Sequence, residues 1–139
     1  VAFYNSATGT EQTALVKGHI DPDKPTLVRM HQLSPFGDML GEEGERGAIL
    51  ERSMEMIAKE GSGVIVILNR ATPTFMSRAI DMRQGRRQPQ PEELRDYGAG
   101  AQILTELGVQ DMVLLTNTHH SLVGLDAYGL SIVGERAIA

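Results

Sequence analysis

Short apolar runs alternate with turn-rich polar stretches along this chain, and the period of each run predicts its element. Val1-Ala2-Phe3-Tyr4 is apolar and strand-like. Thr13 to Ile20 and Thr26 to Leu33 read as two further strands. Asp21-Pro22-Asp23-Lys24-Pro25 between them carries strong turn chemistry, so an antiparallel pair is predicted. In the second of these strands Leu27, Arg29, His31 and Leu33 share one face, and Val28 and Met30 share the other. The Gly-rich, acidic stretch from Ser34 to Gly44 reads as a loop. Ile49, Leu50, Met54, Ile57 and Ala58 then recur at helical spacing over roughly Glu45 to Glu60, with Gly61 as the C-terminal stop. Val64-Ile65-Val66-Ile67-Leu68 is unbroken and largely β-branched, as suits a central strand covered on both faces.

The pattern is least regular from Asn69 to Pro91. It holds an apolar patch (Phe75, Met76, Ile80, Met82) and then Gly85-Arg86-Arg87-Gln88-Pro89-Gln90-Pro91, which reads as a mobile linker. A second helix is predicted from about Glu92, because Pro91 and two glutamates suit a helix start. Its buried face is Leu94, Tyr97, Ala101, Leu104 and Leu107. Gly98 and Gly100 weaken that helix by about 1 kcal/mol each relative to alanine, which predicts a close backbone contact there. Met112 to Leu115 reads as a buried strand, Ser121 to Tyr128 as a short helix and Leu130 to Val133 as a last strand. Strands alternating with helices after an N-terminal pair imply an α/β fold, a mixed β-sheet with helices on both faces.

Composition narrows the function classes. A chain of 139 residues fits one domain with a proper core, and 41% hydrophobic with 22% charged residues is ordinary for a soluble protein. With three Phe, three Tyr and no Trp, the interior falls to aliphatic residues and seven Met. A net charge of -5 argues against a broad nucleic-acid surface. No apolar run reaches bilayer-spanning length and no secretory pattern opens the chain, so no membrane partner and a cytoplasmic location are the expectation. There is no cysteine, which excludes a disulfide scaffold and a thiolate-bound zinc. Beginning at Val1 inside strand-like sequence, the chain reads as a fragment of a longer polypeptide.

Several segments, in order, carry a resemblance. Ala14-Leu15-Val16-Lys17-Gly18 and Leu27-Val28-Arg29-Met30-His31 come first. The helix Leu94-Arg95-Asp96-Tyr97-Gly98-Ala99-Gly100-Ala101-Gln102-Ile103-Leu104 follows, then Leu107-Gly108-Val109 and Leu114-Leu115-Thr116-Asn117. Gly124 to Leu130 and Glu135-Arg136 close the series. Together they resemble the GTP cyclohydrolase II family of riboflavin biosynthesis over nearly the whole chain. The resemblance implies that family's fold, its dimeric habit and a zinc-dependent opening of the GTP imidazole ring that releases formate and pyrophosphate. It also implies a covalent neighbour, since in riboflavin-making bacteria such a domain often follows a 3,4-dihydroxy-2-butanone-4-phosphate synthase domain. On that reading residues 1–139 are a single domain, the C-terminal piece of a fusion.

Against the family pattern, the chemistry is depleted. The family's zinc sits on three cysteines; Ser34 takes the place of the first, and the Cys-x-Cys pair falls near Gly44 and Arg46. A metal lowers the pKa of bound water to about 7, far below that of free water, and none of these replacements supplies that effect. Zinc is therefore expected to be absent, and no metal ligand is assigned. His31, Asp38, Glu42, Glu43 and Glu45 lie near the old site. A carboxylate-rich loop there could hold Mg²⁺ or Ca²⁺ weakly, but a solvated acidic loop is the favoured reading. His119-His120 reads as a surface pair. Where the family has Arg-Gln-Glu-Gly-Arg, this chain has Asn69-Arg70-Ala71-Thr72-Pro73; Ser121 replaces a lysine and Leu33 a glutamate.

Other family positions persist. Arg95 aligns with the arginine assigned as nucleophile toward the α-phosphate, and Glu93 with the general-base aspartate. Arg29, His31 and Thr116 match nucleotide-contacting positions. Each has a structural alternative, such as a salt bridge or dipole pairing in the first turn of a helix for Glu93 and Arg95. Arg78, Arg83, Arg86 and Arg87 could face a phosphate or an acidic partner, or lie on a solvated flexible segment, the reading favoured here. The sequence thus points to a non-catalytic domain serving an attached synthase. The alternatives are a nucleotide hydrolase with altered or no metal, and a GTP sensor without turnover.

Overall fold

A strand that is apolar on both sides must be covered on both sides, and Val64 to Leu68 accordingly lies inside a mixed six-stranded sheet. The structure, a computed structural model, describes residues 1–6, 9–44, 48–68, 74–86, 92–117 and 128–139, with backbone alone at residue 5 and over 92–97. Along them run β1 (Ala2–Asn5), β2 (Thr10–Lys17), β3 (Thr26–Gln32), a wide π-type helical turn (Pro35–Met39) and α1 (Ile49–Glu60). Then come β4 (Gly63–Leu68), α2 (Phe75–Arg83), α3 (Glu92–Glu106), β5 (Asp111–Leu115) and β6 (Ser131–Arg136). The strand order is β1-β2-β4-β3-β5-β6. β4, β3, β5 and β6 are parallel neighbours, while β2 lies antiparallel to β4 and β1 antiparallel to β2.

The alternation of side chains divides the core in two. On one face Val28, Met30, Val64, Val66, Leu68, Met112 and Leu114 pack with Ala101, Ile103 and Leu104 of α3. On the other, Leu27, Ile65 and Leu115 pack with Ile57 of α1 and with Ile138. The opposite placement of the two helices follows from the route of the chain. It moves outward from β3 to β4 through α1, then returns past β3 to β5 through α3. Crossovers of one hand travelling in opposite directions put their helices on opposite faces.

The predicted antiparallel pairing of the second and third strands does not occur. Its turn does form: Asp23 N donates to Asp21 Oδ1 at 2.9 Å and Lys24 N to Asp21 O at 3.1 Å. But β4 inserts between the two strands, pairing Val16 with Val64 on one side and Val28 with Val64 on the other. A β2–β3 hairpin would leave the most apolar strand of the chain at an edge, and burial of Val64, Ile65 and Val66 decides the competition. The insertion is tight. A Cβ on Gly63 would lie 2.8 Å from Leu27 O and 2.9 Å from Ile57 Cγ2, so only glycine lets β4, β3 and α1 converge there.

Other predicted elements shift in detail. The described part of α1 begins at Ile49, and it ends at Gly61 in the left-handed conformation as predicted. Its buried stripe centres on Ser53 and Ile57, flanked by Ile49, Leu50 and Met56, whereas Met54 and Ala58 face solvent. Ser53 can occupy the centre because its hydroxyl donates to Ile49 O at 2.7 Å, which leaves a small, satisfied side chain against the sheet. Phe75 to Arg83, read as irregular, is helical, with no buried side chain. Gly100 of α3 is close to a side chain and not to the predicted backbone: an added Cβ would lie 2.6 Å from Met30 Cε. Ala101 and Leu104 are buried as predicted. The linker from residue 87, the helix over 121–127 and His119-His120 fall outside the described residues. Among those described, no helix is long and apolar enough to cross a membrane.

Candidate functional site

β3 pairs with β5 only from Thr26 to Val28, yet pairs with β4 as far as Gln32. Beyond Val28 the sheet therefore opens between β3 and β5, at their C-terminal ends. From β3 the chain goes on to β4 on one side, and from β5 it goes on to β6 on the other, so this opening is a topological switch point. α/β folds place ligands in such crevices.

In this chain the lower part of the opening is spanned by a polar network. Arg29 Nη1 donates to Leu115 O at 3.2 Å, joining the end of β5 to β3 where backbone pairing has stopped. Arg29 Nη2 approaches His31 Nδ1 at 3.4 Å. His31, two residues on and on the same strand face, is 4% exposed and places Nε2 2.7 Å from Asp38 Oδ2. Because a guanidinium only donates, Nδ1 is the acceptor and the imidazole proton sits on Nε2, donated to Asp38. Both ring nitrogens are thereby engaged.

Asp38 is held by the turn that follows β3. Ser34 takes the extended backbone of an N-cap, and its Oγ accepts from Gly37 N at 3.2 Å. Pro35 occupies the first helical positions, where its missing N–H leaves nothing unsatisfied. Asp38 Oδ2 in turn accepts from Ser34 N at 2.7 Å, a reciprocal arrangement of the capping-box kind. Sequence reasoning places Asp38 in an acidic loop and does not reach its pairing with His31. Ser34 followed by Pro35, with an acid four residues on, is the helix-start signature that could have found it.

The remaining sequence candidates divide. Thr116, directly after Leu115, is buried, and its N–H donates to Arg136 O at 3.0 Å. Asn117 Oδ1 accepts from Ile138 N at 2.7 Å, so this strand end is tied to the C-terminal tail. Arg29 and His31 are thus brought together, with Thr116 beside the carbonyl that Arg29 grips. Glu93 and Arg95 lie in the first turns of α3, on the opposite face of the sheet. Gly100 sits over Met30 and Leu68, so those first turns extend beyond the C-terminal strand ends, about 10 Å along the helix axis. Their side chains fall outside the described residues.

Among the described residues the basic group is locally engaged, and Arg87 lies outside them. Arg78 Nε donates to Thr74 Oγ1 at 3.1 Å, and Arg86 lies 3.9 Å from Asp81. Arg83 pairs with Glu42 and stacks over the Phe36 ring at 4.4 Å from its centroid. Among the described residues no three His, Asp or Glu side chains gather where they could hold a metal ion.

The GTP cyclohydrolase II family model matches residues 1–137. The chain belongs to the GTP cyclohydrolase II family. Riboflavin biosynthesis protein RibBA of Phocaeicola vulgatus is 36% identical over 151 residues, covering 96% of this chain and 36% of that protein. RibBA of Aquifex aeolicus is 37% identical over 146 residues, with 95% and 36% covered. The chain thus spans about a third of the length of the curated relatives it matches. A solved structure, RibBX of A. baumannii, described as a two-domain 3,4-dihydroxy-2-butanone 4-phosphate synthase, aligns with a TM-score of 0.48 at 26% identity, covering 94% of this chain and 33% of the other.

Proposed function

We propose that this chain is a riboflavin-biosynthesis domain of cyclohydrolase II descent that has lost the ring-opening reaction and holds no zinc. Its role is structural or regulatory, as a homodimerising partner of a covalently attached 3,4-dihydroxy-2-butanone-4-phosphate synthase. The pathway assignment is supported by the names of its relatives, and an attached domain by their roughly threefold greater length.

The observation that carries the non-catalytic reading is the polar network at the end of β3. Arg29 and His31, the family's nucleotide-contacting positions, direct two guanidinium nitrogens and both ring nitrogens to Leu115 O, to each other and to Asp38. Zinc does not fit the residues present. The chain has no thiol. Ser34 Oγ is committed to Gly37 N, and neither ring nitrogen of His31 has a lone pair directed at an open site.

Retained Glu93, Arg95 and Thr116 favour one second reading, a GTP sensor without turnover. Two measurements separate the readings. Deleting residues 1–139 from the intact protein lowers synthase activity or dissociates its dimer if the domain is a scaffold, and leaves both unchanged if it is not. A rise in melting temperature with GTP, absent in Arg95→Ala, identifies a sensor.

A further inference from the structure

The segment between β3 and α1 is fastened from two sides, and the two fastenings differ in kind. Inward, Asp38 closes onto His31 and onto Ser34 N, with both members of the His31–Asp38 pair almost wholly buried. Outward, Phe36 and Glu42 receive Arg83 of α2, at the surface. Among the described residues α2 buries no side chain, although it carries Met76, Ile80 and Met82. Its apolar side chains, Phe75 included, are at most part-buried, so the apolar contact that normally seats a helix is weak here.

We propose that the Arg29–His31–Asp38–Ser34 network is a metal-free clasp that orders the turn at Pro35–Met39, and that this turn in turn seats α2 through Arg83. The proposal stands whether or not the domain turns over GTP. The clasp has the properties needed to order a segment without an ion. Its histidine tautomer is set by Asp38 at one ring nitrogen and Arg29 at the other, and Arg29 is itself tied to β5. Its carboxylate accepts from two elements at 2.7 Å each, one on β3 and one at the cap of the turn. Ser34 and Asp38 satisfy the cap from within the turn, so its geometry is encoded locally. The outer face then presents Phe36 and Glu42 at a fixed spacing to one arginine, combining a ring face with a carboxylate. The chain of contacts runs from buried clasp to turn to surface helix, and Asp38 is a positioning residue for α2 without touching it.

The test is peptide-resolved hydrogen exchange on the intact protein, with and without EDTA, for the wild type and for Asp38→Asn, Ser34→Ala and Arg83→Ala. The wild type is expected to show the same protection over 34–42 and 75–83 in EDTA as without it. Asp38→Asn is expected to speed exchange about tenfold or more in both segments. Ser34→Ala, which removes only the cap and should fold in any case, gives a smaller loss in the same two segments. Arg83→Ala speeds exchange in 75–83 alone. Loss of protection over 34–42 in EDTA would overturn the metal-free clasp. Unchanged exchange in 75–83 for both Asp38→Asn and Ser34→Ala would overturn the coupling, as would equal loosening of 34–42 by Arg83→Ala.

Discussion

His31 and Asp38 meet at 2.7 Å across the turn that leaves β3, with their side chains 5% and 7% exposed. Removing the acceptor leaves the His31 Nε2–H and the Ser34 N–H buried without partners. Asp38→Ala is therefore expected to destabilise the fold by about 2–6 kcal/mol in urea denaturation, at roughly 1–3 kcal/mol for each unsatisfied donor. The loss should be nearly the same at low and high salt, because a buried contact is little screened. A loss that disappears in high salt would mark the pair as a surface interaction.

The tautomer is separately measurable. In protein labelled with ¹⁵N-histidine, His31 should show an unprotonated Nδ1 and a protonated Nε2, because Arg29 can only donate to the former. Asp38→Ala should weaken that preference while leaving the other histidines unchanged. The opposite tautomer in the wild type would contradict the network.

Two glycine substitutions should move stability in opposite directions. At Gly63 an added methyl meets the Leu27 carbonyl at 2.8 Å and Ile57 at 2.9 Å, so Gly63→Ala should cost about 1–3 kcal/mol by overpacking. At Gly98 the nearest atom is Tyr128 Oη at 3.4 Å, an ordinary contact. Gly98→Ala should therefore stabilise α3 by up to about 1 kcal/mol through helix propensity. Thermal denaturation of the pair checks both signs.

The C-terminal tail should be a structural element. Ile138 is buried with Leu27, Ile57 and Leu115, and its N–H donates to Asn117. Ile138→Ala should cost about 2–4 kcal/mol. Asn117→Ala should cost about 1 kcal/mol, the net worth of one hydrogen bond. The two losses should be less than additive, since both loosen the same segment.

What the sequence shows and what it hides follow from the range of the interactions involved. The alternation in β3 assigns Arg29 and His31 to one face and Val28 and Met30 to the other, and burial bears this out because period two is a local property. The run at 64–68 is legible as a central strand for the same reason. Which strand pairs with β2 is not local. The Asp21–Pro25 turn favours a hairpin, and only the competing burial of β4 reverses it. The stripe of α1 is displaced because a satisfied serine can occupy a core position. α2 escapes the pattern because a helix that buries nothing has no stripe to read. At the site, residue types are visible in sequence, but the closure of Asp38 on His31 depends on a turn whose start signal is masked by glycines and acids.

The central claim is that this cyclohydrolase fold no longer opens GTP. The most direct measurement is formate release when the purified protein is incubated with GTP and either Zn²⁺ or Mg²⁺, set against a Glu93→Ala, Arg95→Ala control. The account predicts that wild type and control release formate at the same background rate with either ion. Formate and a pyrimidine product appearing well above the control, with either metal, would contradict it.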